Sequence, residues 1–193
     1  MRITRTDSIA GLSFPRAEAG AIAARPSETE CQVIELFDHF RDSLLRYVLS
    51  FGLSVHDAEE ITQEVFLALF RHLQLGKSRE NLRGWIFRVA HNLALKQREA
   101  NRISHDAKSS DWTIAERLMD PSPNPEEQAS FMQRCRRLLA VVQALPEEDQ
   151  GCLRLRAEGL RYREIAAVLD ISLGAVSMSL TRSLARLTRA DGR

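Results

Sequence analysis

From Val33 to Leu187 apolar residues return every three or four positions and almost nowhere at every second one. This is the spacing of a helix that turns about once per 3.6 residues, and it leaves little room for strands. The recurrence predicts an all-α chain. A first helix is expected from about Glu30 to Phe51, with Val33, Ile34, Phe37, Phe40, Leu44, Leu45 and Val48 on its apolar stripe and Gly52 as its stop. A second begins after Ser54, where Ser54 and Asp57 have capping-box spacing, and runs to about Leu73. A third, marked by Trp85, Ile86, Val89, Ala90, Leu93 and Leu95, reaches about Arg102.

Periodicity then lapses from Ile103 to Pro125 and the segment ends in Pro121-Ser-Pro-Asn-Pro125, which precludes a helix and favours an extended, flexible linker. The chain therefore divides into a poorly ordered tail (1–27), a helical lobe (28–102), an acidic linker (103–125) and a second helical lobe (126–190). The acidic, polar linker offers little apolar area for docking, so the lobes are expected to be joined flexibly. In the second lobe a helix to about Leu145 is followed by another starting at Pro146, since proline and the acids Glu147, Glu148 and Asp149 suit a first helical turn. A short helix from Tyr162 to Leu169, the turn Asp170-Ile171-Ser172 and a longer helix from Leu173 to about Arg189 have the form of a helix-turn-helix. Val176, Leu180, Leu184 and Leu187 are the apolar positions expected on that last helix.

Net charge is only +1, so any surface for nucleic acid must come from local segregation. Segregation is present. Lys77 to Arg102 carries seven basic residues against two acids, residues 103 to 130 two against six, and residues 151 to 193 eight against four. The second helix adds an acidic outer face through Asp57, Glu60 and Glu64. Cys31, Cys135 and Cys152 stand far apart, with no pairing or ligand spacing among them or the five histidines, so no metal or other cofactor is expected. No glycine-rich phosphate loop or nucleophile-base pair points to an enzyme. No apolar run approaches the ~20 residues of a membrane span, and the reading is a cytoplasmic protein without membrane insertion.

Three stretches in order carry a family resemblance: Asp57-Ala-Glu-Glu-Ile-Thr-Gln-Glu-Val-Phe66, then Leu82 to Leu95, then Leu145-Pro-Glu-Glu with Gly159-Leu-Arg-Tyr-Arg-Glu-Ile-Ala166 and Ile171-Ser-Leu-Gly-Ala-Val176. Together they resemble regions two and four of bacterial RNA polymerase sigma factors of the extracytoplasmic-function group. The resemblance implies a non-catalytic subunit that binds core RNA polymerase, at its beta-prime clamp and beta flap, and recognises and melts promoter DNA. It also implies an anti-sigma protein as a further partner. Asp57, Glu60, Gln63 and Glu64 match the polymerase-binding face; without the resemblance they would read as an ordinary solvated face.

Arg79, Asn81, Arg83, Arg88, Asn92, Lys96 and Arg98 match the segment that reads and melts the minus-ten element, helped by the ring types Trp85 and His91. Trp85 reads more readily as a core anchor between helices. Lys96 stands where the family commonly has aspartate. For the minus-thirty-five element the resemblance implies base contacts from Leu173, Gly174, Ser177, Met178 and Thr181 and phosphate contacts from Arg161, Arg163, Arg182 and Arg186. Ser177 and Ser179 replace frequent cations there, and Asp170 replaces a common turn glycine. The alternative is a helix-turn-helix regulator with an amino-terminal sensing or dimerisation lobe. It explains residues 146 to 189 equally well but not an acidic helix followed by a basic, tryptophan-containing one.

Overall fold

The computed structural model describes residues 27–104 and 125–192, and every regular element among them is a helix. The expected tail and nearly all of the linker lie outside these residues. In the first lobe α1 spans Glu28–Leu49, α2 Val55–Gln74 and α3 Leu82–Ser104. In the second, α4 spans Pro125–Gln143, α5 Glu147–Ala157, α6 Tyr162–Leu169 and α7 Leu173–Asp191.

Local chemistry sets the boundaries. Ser27 caps α1 through a reciprocal box with Glu30, which starts the helix two residues earlier than its apolar stripe alone suggests. Ser54 caps α2 by accepting from the Asp57 amide at 3.0 Å. Asn81, with φ of 50°, opens α3: its backbone oxygen accepts from Trp85 N and its side-chain oxygen from Gly84 N. Asp170 takes the left-handed conformation that the turn before α7 needs, and Ser172 caps α7.

In the first lobe α1 lies on α2 and both meet α3, enclosing Phe40, Leu44, Val48, Ile61, Val65, Leu69, Ile86 and Phe87. In the second, α7 packs on α4, α5 and α6. Three expected apolar positions fall outside the core, Leu95 of α3 at 36% exposure among them. Ile34 is 54% exposed, because α1 has neighbours on only part of its circumference. Leu184 is 52% exposed: the buried line of α7 is Val176, Ser179, Leu180 and Ser183, and one residue further rotates by about 100°, away from the core.

The lobes also touch each other, which nothing in the sequence announces. Helix α3 packs along α6, and the buried apolar residues of both lobes, from Phe40 and Phe87 to Leu155, Leu160 and Ile165, form one continuous cluster. The expectation of docking-free lobes rested on the linker's polarity, but the apolar faces that meet belong to the helices on either side of it.

Candidate polymerase and nucleic-acid interfaces

Helix α2 buries Ala58, Ile61, Thr62, Val65, Phe66, Leu69 and Leu73, so its opposite side faces solvent. Glu60, Gln63 and Glu64 lie there, next to Leu67, which is 57% exposed. Glu60 pairs with His56, 3.3 Å away one turn back. Asp57 is different. It is partly buried and accepts from Gln97 Nε2 at 3.2 Å and Asn101 Nδ2 at 3.3 Å, so it fastens α2 to α3. Burial pushes its carboxyl up, but the bonds from Ser54 and Asn101 outweigh this and hold its pKa below the usual range. Of the four acid-face positions, three are free to meet a partner and one is internal fastening.

The basic segment divides in the same way. Arg88, Asn92 and Lys96 are exposed along α3. Arg79 reaches Glu28 at 3.3 Å, and Asn81 spends its side-chain oxygen on the helix cap. Trp85 is half-buried with its ring 4.7 Å from that of His72, the anchor expected of a large aromatic. His91 lies inward, with Nδ1 2.8 Å from Tyr47 Oη; burial first, then Arg98 and Arg154, press its pKa down and keep the ring neutral.

Arg83 and Arg98 are held by the second lobe. Arg83 Nη2 donates to the Glu158 carbonyl at 2.6 Å, with its guanidinium 5.7 Å from the centre of the Phe40 ring, and Arg98 pairs with Glu147 at 3.0 Å.

On α7 one exposed face carries Leu173, Gly174, Ser177, Met178 and Thr181, with Met178 67% exposed. These are the five positions the sequence assigns to base contacts, and the helix spacing brings them together on the outside of the helix-turn-helix. Arg161 and Arg163 are exposed at the start of α6. Arg182 has another duty. Its Nη2 and Nε donate to the two carboxylate oxygens of Asp149 at 2.7 and 3.0 Å, in a forked pair that ties α7 to the first turn of α5. Asp149 is 1% exposed, and the Arg182 bonds hold its carboxyl below the usual range. Arg186 lines a shallow depression with Val141 of α4 and Ala144 just beyond it. Of the two serines that stand where cations are frequent, Ser179 is buried and only Ser177 lies on the exposed face.

Sequence reasoning missed Asp149 and Glu158, which control Arg182 and Arg83. Asp149 had a signal in its place in a helix's first turn, but its partner lies 33 residues away. Glu158 acts on Arg83 through its backbone, which no side-chain pattern encodes.

Among the described residues no single helix is long and apolar enough to cross a membrane, and no group of three His, Cys, Asp or Glu residues could hold a metal ion.

Comparison with known proteins matches residues 36–103 to Sigma-70 region 2 and residues 135–187 to Sigma-70, region 4. The ECF RNA polymerase sigma factor ShbA of Streptomyces griseus is 32% identical over 180 residues, covering 87% of this chain and 92% of that protein. The ECF RNA polymerase sigma factor SigE of Mycolicibacterium smegmatis is 32% identical over 155 residues, covering 79% of this chain but only 59% of the longer relative. The chain likewise spans 44% of a probable RNA polymerase sigma factor, RfaY, of Xanthomonas campestris. Among solved structures, the sigma factor RpoE of Bartonella quintana, in complex with the anti-sigma factor NepR, shares the fold with a TM-score of 0.59 at 16% identity, covering 82% of this chain and 96% of that one. With both sigma regions matched in order on one helical chain, and a relative of this identity aligned over nearly its whole length, the chain belongs to the extracytoplasmic-function group of RNA polymerase sigma factors.

Proposed function

We propose that this chain is a promoter-specificity subunit that joins core RNA polymerase in the cytoplasm, directs it to promoters and does no bond-making chemistry itself. The observation that carries the reading is the pairing, on one chain, of an outward helix-turn-helix face (Leu173, Gly174, Ser177, Met178, Thr181) with an exposed acidic ridge (Glu60, Gln63, Glu64) beside a basic helix. A simple regulator uses the first and has no need of the second. The ridge supplies carboxylates that pair with a basic helix of the beta-prime clamp and set its register, while Leu67 supplies apolar contact. Helix α3 offers Arg88, Asn92 and Lys96, with Arg83 and Arg98 once released, to the minus-ten strand. Helix α7 enters the major groove at the minus-thirty-five element, and Arg161 and Arg163 approach its phosphates. A region-four contact with the beta flap and capture by an anti-sigma protein, as in the Bartonella quintana complex, complete the set of partners.

Reversing charge at both ridge acids, Glu60→Lys with Glu64→Lys, tests the assignment. Both side chains are exposed, so the fold is expected to hold, while competition for core against another sigma factor falls. Unchanged competition would overturn the ridge as the polymerase face, and failure of the unaltered chain to support run-off transcription with core would overturn the function.

A further inference from the structure

The outward face of α7 carries no charge. At about 100° per residue, Leu173, Ser177, Thr181, Gly174 and Met178 follow one another around an arc of about 140° on the side of the helix away from the buried Val176, Leu180 and Ser183. Its two large side chains are apolar and open to solvent, Leu173 at 48% and Met178 at 67%. The cations of α7 stand at the edge of this arc or beyond it. Arg182, one turn past Met178, has given the Nε and Nη2 edge of its guanidinium to Asp149, and Arg186 and Arg189 lie further along, beside α4.

Gly174 adds a second observation. It sits in the first turn of α7 without a left-handed φ, and a Cβ there would meet nothing nearer than Ser172 Oγ at 3.9 Å. Neither backbone conformation nor packing asks for glycine at this position, and glycine within a helix is less stable than alanine. The side chain of a helical residue leans over the turn before its own Cα, so Met178 lies above the space that residue 174 leaves open. The result is an apolar notch on the outer surface of the helix, floored by glycine backbone and walled by a flexible thioether that adapts to the shape it meets.

In the major groove the base pairs are told apart by their donors, their acceptors and the thymine methyl. Guanine is read by the N–H groups of arginine or lysine and adenine by asparagine or glutamine, and the arc has none of these four residue types. The hydroxyls of Ser177 and Thr181 serve any base pair. What the arc can distinguish is the methyl group. We propose that α7 recognises its DNA element through thymine methyls: Met178 and the Gly174 notch close on the methyl of one A·T pair, Leu173 packs on a second, and guanine is not specified. The proposal rests on the sigma-factor reading above and gives its upstream site a base class. Arg161 and Arg163, which hold phosphates, add affinity without sequence.

The test uses holoenzyme assembled from core polymerase and the full chain, and begins with selection from promoter duplexes randomised across the minus-thirty-five element. Wild type is expected to enrich A·T pairs there. Replacing the selected thymines with deoxyuridine, which removes the methyl and nothing else, should weaken binding about three- to fivefold per contacted methyl, the worth of one buried methylene. Met178→Ala, on an exposed side chain, should weaken binding to the thymine duplex by a similar factor and respond less to the exchange. Gly174→Ala separates DNA contact from folding: the melting temperature should rise while affinity falls. Enrichment of G·C pairs by wild type, unchanged affinity for the uracil duplex, equal sensitivity to it in wild type and Met178→Ala, or full affinity in Gly174→Ala overturns the proposal. Run-off transcription from the selected duplexes reports separately on the sigma-factor reading. No transcription sinks that reading and the proposal with it, whereas transcription from elements insensitive to uracil sinks the proposal alone.

Discussion

The Asp149–Arg182 pair separates a structural from a DNA-binding role for Arg182. The perturbation is Asp149→Ala. The wild-type carboxylate is 1% exposed, accepts two bonds from one guanidinium and lies in the first turn of α5, where the helix dipole favours a negative charge. Charge-assisted bonds contribute about 1.5–3 kcal/mol each in favourable surroundings. Here the arginine end is half open to water, so screening removes much of that, and the loss for Asp149→Ala is about 1–2 kcal/mol. In a chain of this size that lowers the melting temperature by about 2–8 °C. Arg182→Ala is expected to destabilise more, because it leaves a buried carboxylate without its countercharge, whereas Asp149→Ala leaves an arginine that water can solvate. The double variant should therefore be more stable than Arg182→Ala alone. Thermal and urea unfolding followed by circular dichroism measure all three. Promoter binding by holoenzyme supplies the second axis: if Arg182 contacts a phosphate, its removal lowers the salt slope by about 0.9 and Asp149→Ala does not. If the pair only positions α7, both variants weaken binding without changing the slope. An Arg182→Ala variant as stable as wild type would refute the reasoning, since the buried Asp149 would then not need its partner.

Two further outcomes follow from single residues. Asn81→Ala loses the bond to Gly84 N and places alanine at φ of 50°, so it should cost about 1–2 kcal/mol in unfolding experiments, whereas Asn81→Gly, which loses the same bond but tolerates that backbone, should cost only a few tenths; equal losses would show that the positive-φ backbone contributes nothing to the difference. His91 has a depressed pKa in the folded chain, so its contribution is present above its unfolded pKa of about 6.5 and is lost as pH falls through the folded value. Stability should drop on acidification below about pH 6.5 with a slope of at most about 1.4 kcal/mol per pH unit, and His91→Gln should flatten the thermal-melt profile in that window. A profile identical in the variant would place the titrating group elsewhere.

Much was legible in the sequence because it is encoded between near neighbours. The recurrence of Val65, Leu69 and Leu73, the Ser54-to-Asp57 spacing, Pro146 ahead of three acids, and the Asp170-Ile171-Ser172 turn each act within a helical turn or two. They placed α2, α5 and the helix-turn-helix close to their observed bounds. On α7 the periodicity gave the buried Val176 and Leu180, while the outward residues were named by the family resemblance. What only the tertiary structure decided is which charges are spent inside the molecule. Asp57 looked like a ridge residue until Gln97 and Asn101 came to it across 40 and 44 positions. Arg182 looked like a phosphate ligand until Asp149 took two of its five donors, and Arg83 and Arg98 looked free until Glu158 and Glu147 arrived from the other lobe. A helix declares its faces through periodicity, which is local; the partner of a long, flexible cation is set by whichever carboxylate or carbonyl the packing of distant helices brings within about 3 Å, and no spacing along the chain records that distance.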